Sequence, residues 1–208
     1  MSNEDIAAFE EKIKAFVGRE CGASAAKDAV NKAMIRHWCE VMGNTNPDHL
    51  DEAEAAAGSR GELVAPATML FAWGQAGYAV AAQGREKDPQ TELFDLFDEH
   101  GYVGVVATNT TQEYDRELRL GEVVHARTVI DNISGRKKTG LGEGYFYETV
   151  TEFTNQDGEP LGRQSFKVLK YRPNTAGGEA AQGVIKSSRG RSGWVTRCPH
   201  VKLPLPRH

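Results

Sequence analysis

The chain has 208 residues, 39% hydrophobic and 26% charged, with a formal net charge of −4 and three cysteines. A chain of this length builds a core without disulfide or metal staples, and its acidic balance argues against the basic footprint of a nucleic-acid binder. No run of about 18 or more apolar residues is present to span a membrane. Cys21, Cys39 and Cys198 are few and far apart and read as reduced thiols. The acidic start, MSNEDIAAFEEKIK, has no signal-peptide apolar core, so the expected location is cytoplasmic.

The pattern predicts a helix first. Ile6, Phe9, Ile13, Phe16 and Val17 share one face at helical spacing, with Gly18 and Gly22 behind them. Residues 1–25 are taken as this N-terminal helix. A second helix is expected over Asp28–Met42, with Asp28 as N-cap, Gly43 as the stop and Val30, Met34, Trp38, Val41 and Met42 on the core face. A polar loop and a short helical piece near Asp51–Ala57 follow. Val64–Gly84 is apolar on nearly every side, which predicts a buried helix. Pro66 suits its first turn, and Ala72, Gly74, Ala76, Gly77 and Ala79 permit close approach.

After an amphipathic piece, Glu92–His100, the period changes to that of strands: Val103–Tyr114, Val123–Ile133, Gly144–Asn155 and Leu161–Tyr171. Asn155-Gln156-Asp157-Gly158 is a hairpin signal between the last two. Hairpin-linked strands make an antiparallel sheet, and a long helix ahead of it predicts an α+β fold with the sheet curling around the helix. Residues 26–173 form this domain. Residues 174–208 hold six Lys/Arg against one acid, Glu179, among Gly, Ser and Pro. They read as a basic appendage, mobile or docked through its few apolar residues. No cofactor is expected, because Gly140-x-Gly142-x-Gly144 precedes a strand instead of opening a helix. No metal is expected, since Cys198 and His200 supply two ligands where a structural zinc needs four.

The chemistry concentrates in Gly43-Asn44-Thr45-Asn46-Pro47-Asp48-His49. Pro47 stiffens the backbone, Asn44 and Asn46 suit side-chain-closed turns, and the loop carries one imidazole, His49. Residue types alone also allow an Asn-Pro turn with a surface His. The second part is Leu63-Val64-Ala65-Pro66-Ala67-Thr68, where the first turn of a helix leaves N–H groups free to meet an oxyanion such as a thioester oxygen. His37, His100 and His125 read as solvated or structural, Trp38 and Trp73 as core, and Arg136, Lys137 and Lys138 as a solvated hairpin tip.

The loop resembles the G-D-x-N-P-x-H motif of MaoC-like, hydratase-2-type (R)-specific enoyl-CoA hydratases. The "VAP-T" step into a buried helix, Glu113-Tyr114-x-Arg116-x-Leu118-Arg119-x-Gly121-Glu122 and Asn155-x-x-Gly158-x-x-Leu161 are similar to the same group. The resemblance covers about Asp28 to Pro173. It implies the hot-dog fold, a curved antiparallel sheet wrapped around a long central helix, and trans-2-enoyl-CoA hydration. It implies His49 and the acid position, Asn44, as the catalytic pair, with Asn46, Pro66, Ala67 and Thr68 at the acyl oxygen. Asn44 departs from the motif: an amide does not act as a general base. The chain therefore looks like the degenerate subunit of a heteromeric hydratase, supplying pocket while a second hot-dog subunit carries the Asp/His dyad, with a bulky steroid-type acyl chain as one implied substrate. Two other readings stand beside it: an autonomous homodimeric hydratase using His49, and a non-catalytic acyl-CoA-binding module.

Overall fold

Alternating apolar residues drive the longest elements into one antiparallel sheet. The computed structural model describes residues 3–75 and 87–174. Its elements are α1 (Asn3–Lys14), β1 (Glu20–Ala25), α2 (Lys32–Met42), a 3-10 turn (Pro47–His49), α3 (Glu52–Ala57), β2 (Val64–Ala65), a second 3-10 turn (Ala67–Met69), α4 (Leu70–Trp73), α5 (Pro89–Glu99), β3 (Gly104–Tyr114), β4 (Leu118–Arg119), β5 (His125–Ile133), β6 (Lys137–Lys138), β7 (Gly142–Thr154) and β8 (Pro160–Pro173). The main sheet runs β1-β5-β7-β8-β3, with β6 on β7, and β2 pairs separately with β4. Every pairing is antiparallel. Helices on the inner face of a single antiparallel sheet make the hot-dog, α+β arrangement.

The four long strands fall where the sequence pattern puts them, and Gly158 adopts φ +80 in the expected hairpin. Three expectations need correction. The N-terminal helix ends at Lys14, and Glu20–Ala25 forms a sheet strand paired with β5. Helix α2 starts at Lys32 with Asn31 as its cap, the Asn31 Oδ1 accepting from Met34 N at 3.0 Å. Ile35 and Cys39 are its buried residues, with Trp38 partly buried against the same core and Val30 buried ahead of the helix, while Met34, Val41 and Met42 are exposed, Val41 by 85%. The helix expected from Val64 is not continuous. Val64 and Ala65 pair with β4, the turn begins at Ala67, and α4 stops at Gly74, where low helix propensity ends the run. The rest of that expected helix, residues 76–84, lies outside the described residues, as does the expected tail beyond Asn174.

The inner face carries two apolar clusters. Ile35, Leu63, Ala65, Met69, Leu70, Trp73, Leu118, Phe153 and Leu161 belong to the first. Phe9, Ile13, Leu93, Phe97, Tyr102, Ile130, Tyr145, Tyr147 and Val168 belong to the second. The buried Lys170 ammonium ties β8 to α5 through Asp98 at 2.5 Å and lies 4.9 Å from the Phe94 ring centre. Strand β3 ends the sheet as an 11-residue edge with Val105 and Tyr114 exposed.

Gly144 is among the positions where close approach requires glycine. A Cβ at Gly144 would stand 2.1 Å from the Lys170 carbonyl oxygen and 2.8 Å from the Tyr171 Cβ. Gly144→Ala should therefore destabilise the fold by about 2 kcal/mol, because backbone has to move. A urea midpoint equal to wild type would show that the strands separate freely there.

Candidate active site

The loop after α2 is built by its own side chains. Gly43, at φ +65, ends the helix in the left-handed region that a Cβ disfavours. The Asn44 N–H then donates to Cys39 O at 2.8 Å. The Asn44 Oδ1 accepts from Asn46 N at 3.0 Å, and the Asn46 Oδ1 accepts from Asp48 N at 3.1 Å. Asn46 thus caps the Pro47–His49 turn, with Pro47 at its first position. The two asparagines and the proline leave the loop little freedom.

His49 is held from both directions. Its N–H donates to Asn46 O at 3.1 Å, and its ring Nδ1 lies 2.8 Å from the Val64 carbonyl oxygen. A carbonyl only accepts, so the geometry assigns the proton to Nδ1 and leaves the Nε2 lone pair available. The side chain is 6% exposed. Among the described residues no carboxylate pairs with this imidazole. Asp48, next to it in sequence, is engaged by the Arg60 guanidinium, which also binds Glu117. These contacts hold the Arg60 proton above its ordinary pKa, chiefly through the Glu117 hydrogen bond.

The expected oxyanion segment lies beside this ring. Val64, whose carbonyl holds His49, stands two residues before Pro66. The half-buried Ala67 and exposed Thr68 open the 3-10 turn, so their amides precede any intrahelical acceptor. The structure therefore brings His49 to the strand that leads into Pro66, Ala67 and Thr68. It does not turn Asn44 or Asn46 toward that segment through their oxygens, because both oxygens close the loop itself.

A half-buried ion cluster holds the strand that pairs with β2. Arg116 grips Glu122 with two hydrogen bonds of 2.9 and 2.6 Å and reaches Glu159 at 3.1 Å. Glu122 also accepts from Arg119 N at 2.7 Å and from Asn155 Nδ2 at 3.2 Å. Burial pushes the Glu122 carboxyl up, but Arg116, the Arg119 N–H and Asn155 outweigh it and leave the pKa below its ordinary value. The cluster fixes β4, β4 pairs with β2 at Val64–Arg119, and Val64 holds His49. Pattern reasoning had no signal for this relay, since its last link is a main-chain carbonyl.

The other sequence candidates take structural roles. His37 pairs with Glu40 at the surface, at 3.5 Å. His100 bonds the Leu96 carbonyl and stacks on Phe9 at 4.4 Å. Arg136 pairs with Glu143 at 3.1 Å across the β6–β7 hairpin. Among the described residues, no group of three or more His, Cys, Asp or Glu could hold a metal, and no helix is long and apolar enough to cross a membrane.

Known proteins place this geometry. The family model "FAS1-like, dehydratase domain region" matches residues 15–164. A probable enoyl-CoA hydratase alpha subunit of Thermomonospora curvata is 42% identical over 175 residues, 83% of this chain and 54% of that one. The 3-oxo-4,17-pregnadiene-20-carboxyl-CoA hydratase alpha subunit of Mycobacterium tuberculosis is 36% identical over 148 residues, 71% of this chain and 47% of that one. The chain thus spans about half the length of these curated relatives. In the crystal structure of the ChsH1-ChsH2 complex from Mycobacterium tuberculosis, one chain superposes with a TM-score of 0.71 at 34% identity, covering 83% of this chain and 94% of that one. A match over most of the sheet, the histidine loop and the helices that carry it settles the family: the chain belongs to the FAS1-like dehydratase-region family, with the MaoC-like hot-dog fold.

Proposed function

We propose that this chain is the pocket-forming subunit of a heteromeric MaoC-type enoyl-CoA hydratase. The observation that carries the reading is a buried histidine on the family's loop with which, among the described residues, no carboxylate pairs. Water addition to a trans-2-enoyl-CoA needs a base to take a proton as oxygen bonds to C3, a proton delivered to C2, and a donor for the negative charge gathering on the thioester oxygen. His49 Nε2 offers an acceptor and the Ala67–Thr68 amides offer donors. The acid position offers only Asn44, whose oxygen is already committed to Asn46 N. A second hot-dog subunit would bring the complete Asp/His dyad.

The alpha-subunit names of two relatives and the two-component complex of the structural relative support a heteromer. The exposed edge of β3 is the surface on which a second sheet can continue this one. The acyl group is then a CoA thioester, and the Mycobacterium tuberculosis relative's name supports a bulky, steroid-type one. The free Nε2 of His49 favours a second reading, an autonomous homodimeric hydratase.

Co-expression separates the two. With a MaoC-like chain that retains the Asp and His, this protein should elute from gel filtration as one complex at equal stoichiometry. Separate elution, with a stable homodimer of this chain, would favour the autonomous reading instead.

A further inference from the structure

The strand register lines up a polar row between the two apolar clusters of the inner face. Thr128 on β5 opposes Thr151 on β7, Thr151 opposes Gln164 on β8, and Gln164 opposes Gln112 on β3. Opposed residues share a face, and the two-residue period puts this row on the side of Phe153, two residues after Thr151. The next row sets Thr149 and Thr110 on either side of Phe166. A sheet face that only had to be sealed would carry apolar residues here, as it does on both sides.

The row is partly satisfied from within. Thr128 and Thr151 share a hydrogen bond of 2.9 Å, and Gln164 Nε2 donates to Thr110 Oγ1 at 3.2 Å. Tyr114 donates its hydroxyl to Gln112 Oε1 at 2.5 Å. The exception is central. Gln164 is 7% exposed, yet among the described residues its Oε1 meets no donor. A buried amide oxygen without a partner loses its water and gains nothing in return.

Turning the Gln164 amide over only exchanges the orphan. Oε1 would then accept from the Thr110 hydroxyl, and Nε2 would lack an acceptor. A hydroxyl satisfies either orientation, because it both donates and accepts. A keto oxygen satisfies only the second, and a methylene satisfies neither. The row is also reachable: Thr110 and Gln112 are exposed at the β3 end, and Phe166 beside them is 38% exposed.

We infer that Gln164, with Thr110 and Thr149 around it, is a subsite for a hydroxyl on the acyl group, so that the pocket selects oxygenated acyl-CoAs over plain fatty acyl-CoAs. The inference rests on the acyl-CoA reading proposed above. A hydrocarbon laid on the row would strip water from the amide and the threonine hydroxyls without replacing it, which is the strong form of discrimination.

The test uses the full chain with its co-purified hot-dog partner. Binding of octanoyl-, dodecanoyl- and hexadecanoyl-CoA is compared by calorimetry with that of their ω-hydroxy counterparts. At the length that reaches the row, the hydroxylated ligand should bind about tenfold tighter. Gln164→Met, close in volume and apolar, should erase that preference and leave the plain acyl-CoA within about threefold of wild type. Thr110→Val lies at an exposed position and guards against a folding failure of the first variant. It frees the Gln164 amide and should cut the preference by about threefold. No hydroxyl preference at any length, or one unchanged by both variants, would overturn the inference. If wild type binds neither class of acyl-CoA, the acyl-CoA reading fails first and carries the subsite with it.

Discussion

Purified alone, this chain should hydrate an enoyl-CoA at least about a thousandfold more slowly than it does in complex with a dyad-bearing hot-dog partner. A positioned acid–base group contributes about a hundredfold to ten-thousandfold, and here the loop holds an imidazole without its carboxylate. Within the complex, His49→Ala should lower kcat by less than about tenfold if, as proposed above, the dyad of the second subunit activates the water. Asn44→Asp should not rescue the isolated chain. Its carboxylate would inherit the bond to Asn46 N and stay committed to closing the loop. Steady-state turnover of a short and a bulky enoyl-CoA decides the matter. Robust turnover by the chain alone, abolished by His49→Ala, would make it a self-sufficient hydratase.

The second large effect concerns stability. Arg116→Ala should cost about 3 kcal/mol near neutral pH, because it leaves the Glu122 charge buried with only the Arg119 N–H and Asn155 for company. The pH dependence has a definite sign. In wild type the Glu122 pKa is depressed, so its contribution is present above the ordinary carboxyl value near 4.5 and is lost as pH falls through the lower folded value. In Arg116→Ala, burial dominates and the folded pKa rises, so protonation relieves the penalty. The gap between the two proteins should shrink as pH falls from the variant's raised folded pKa, above about 4.5, through the depressed one of wild type. Urea unfolding across that range measures it. A gap that widens in acid would mean that Arg116 acts through packing alone. The same variant should speed amide exchange around Val64 and His49, since the cluster holds β4, and β4 holds β2.

Much of this molecule was legible before its coordinates. Strands β3, β5, β7 and β8 are rich in Val, Thr, Tyr and Phe, and Asp157-Gly158 marks a turn that few other dipeptides make. Strand β1, ECGASA, has none of those signals and is a strand because β5 offers it a partner. Helix α2 has apolar side chains on two faces, and only the position of the core chooses Ile35 and Cys39 over Met34 and Val41. The break at Gly74 could have been read from two closely spaced glycines, had the apolar content of the segment not outweighed them. At the site, the histidine and the departure at Asn44 were visible as residue types. The Val64 carbonyl was not, because main chain carries no letter. Nor was Gln164, since a polar residue in a strand looks like one that faces water.

Strand β3 has a consequence for how the chain must be made. Its 11 residues, GVVATNTTQEY, contain no lysine, arginine or proline to repel a passing strand. Glu113 is its one charged residue, and among the described residues no strand pairs with the backbone donors and acceptors of its outer edge. If the second subunit proposed above caps that edge, this protein synthesised in excess of it is its own nearest template, and the yield of dispersed material should track the dosage of that subunit rather than the intrinsic folding free energy of this one.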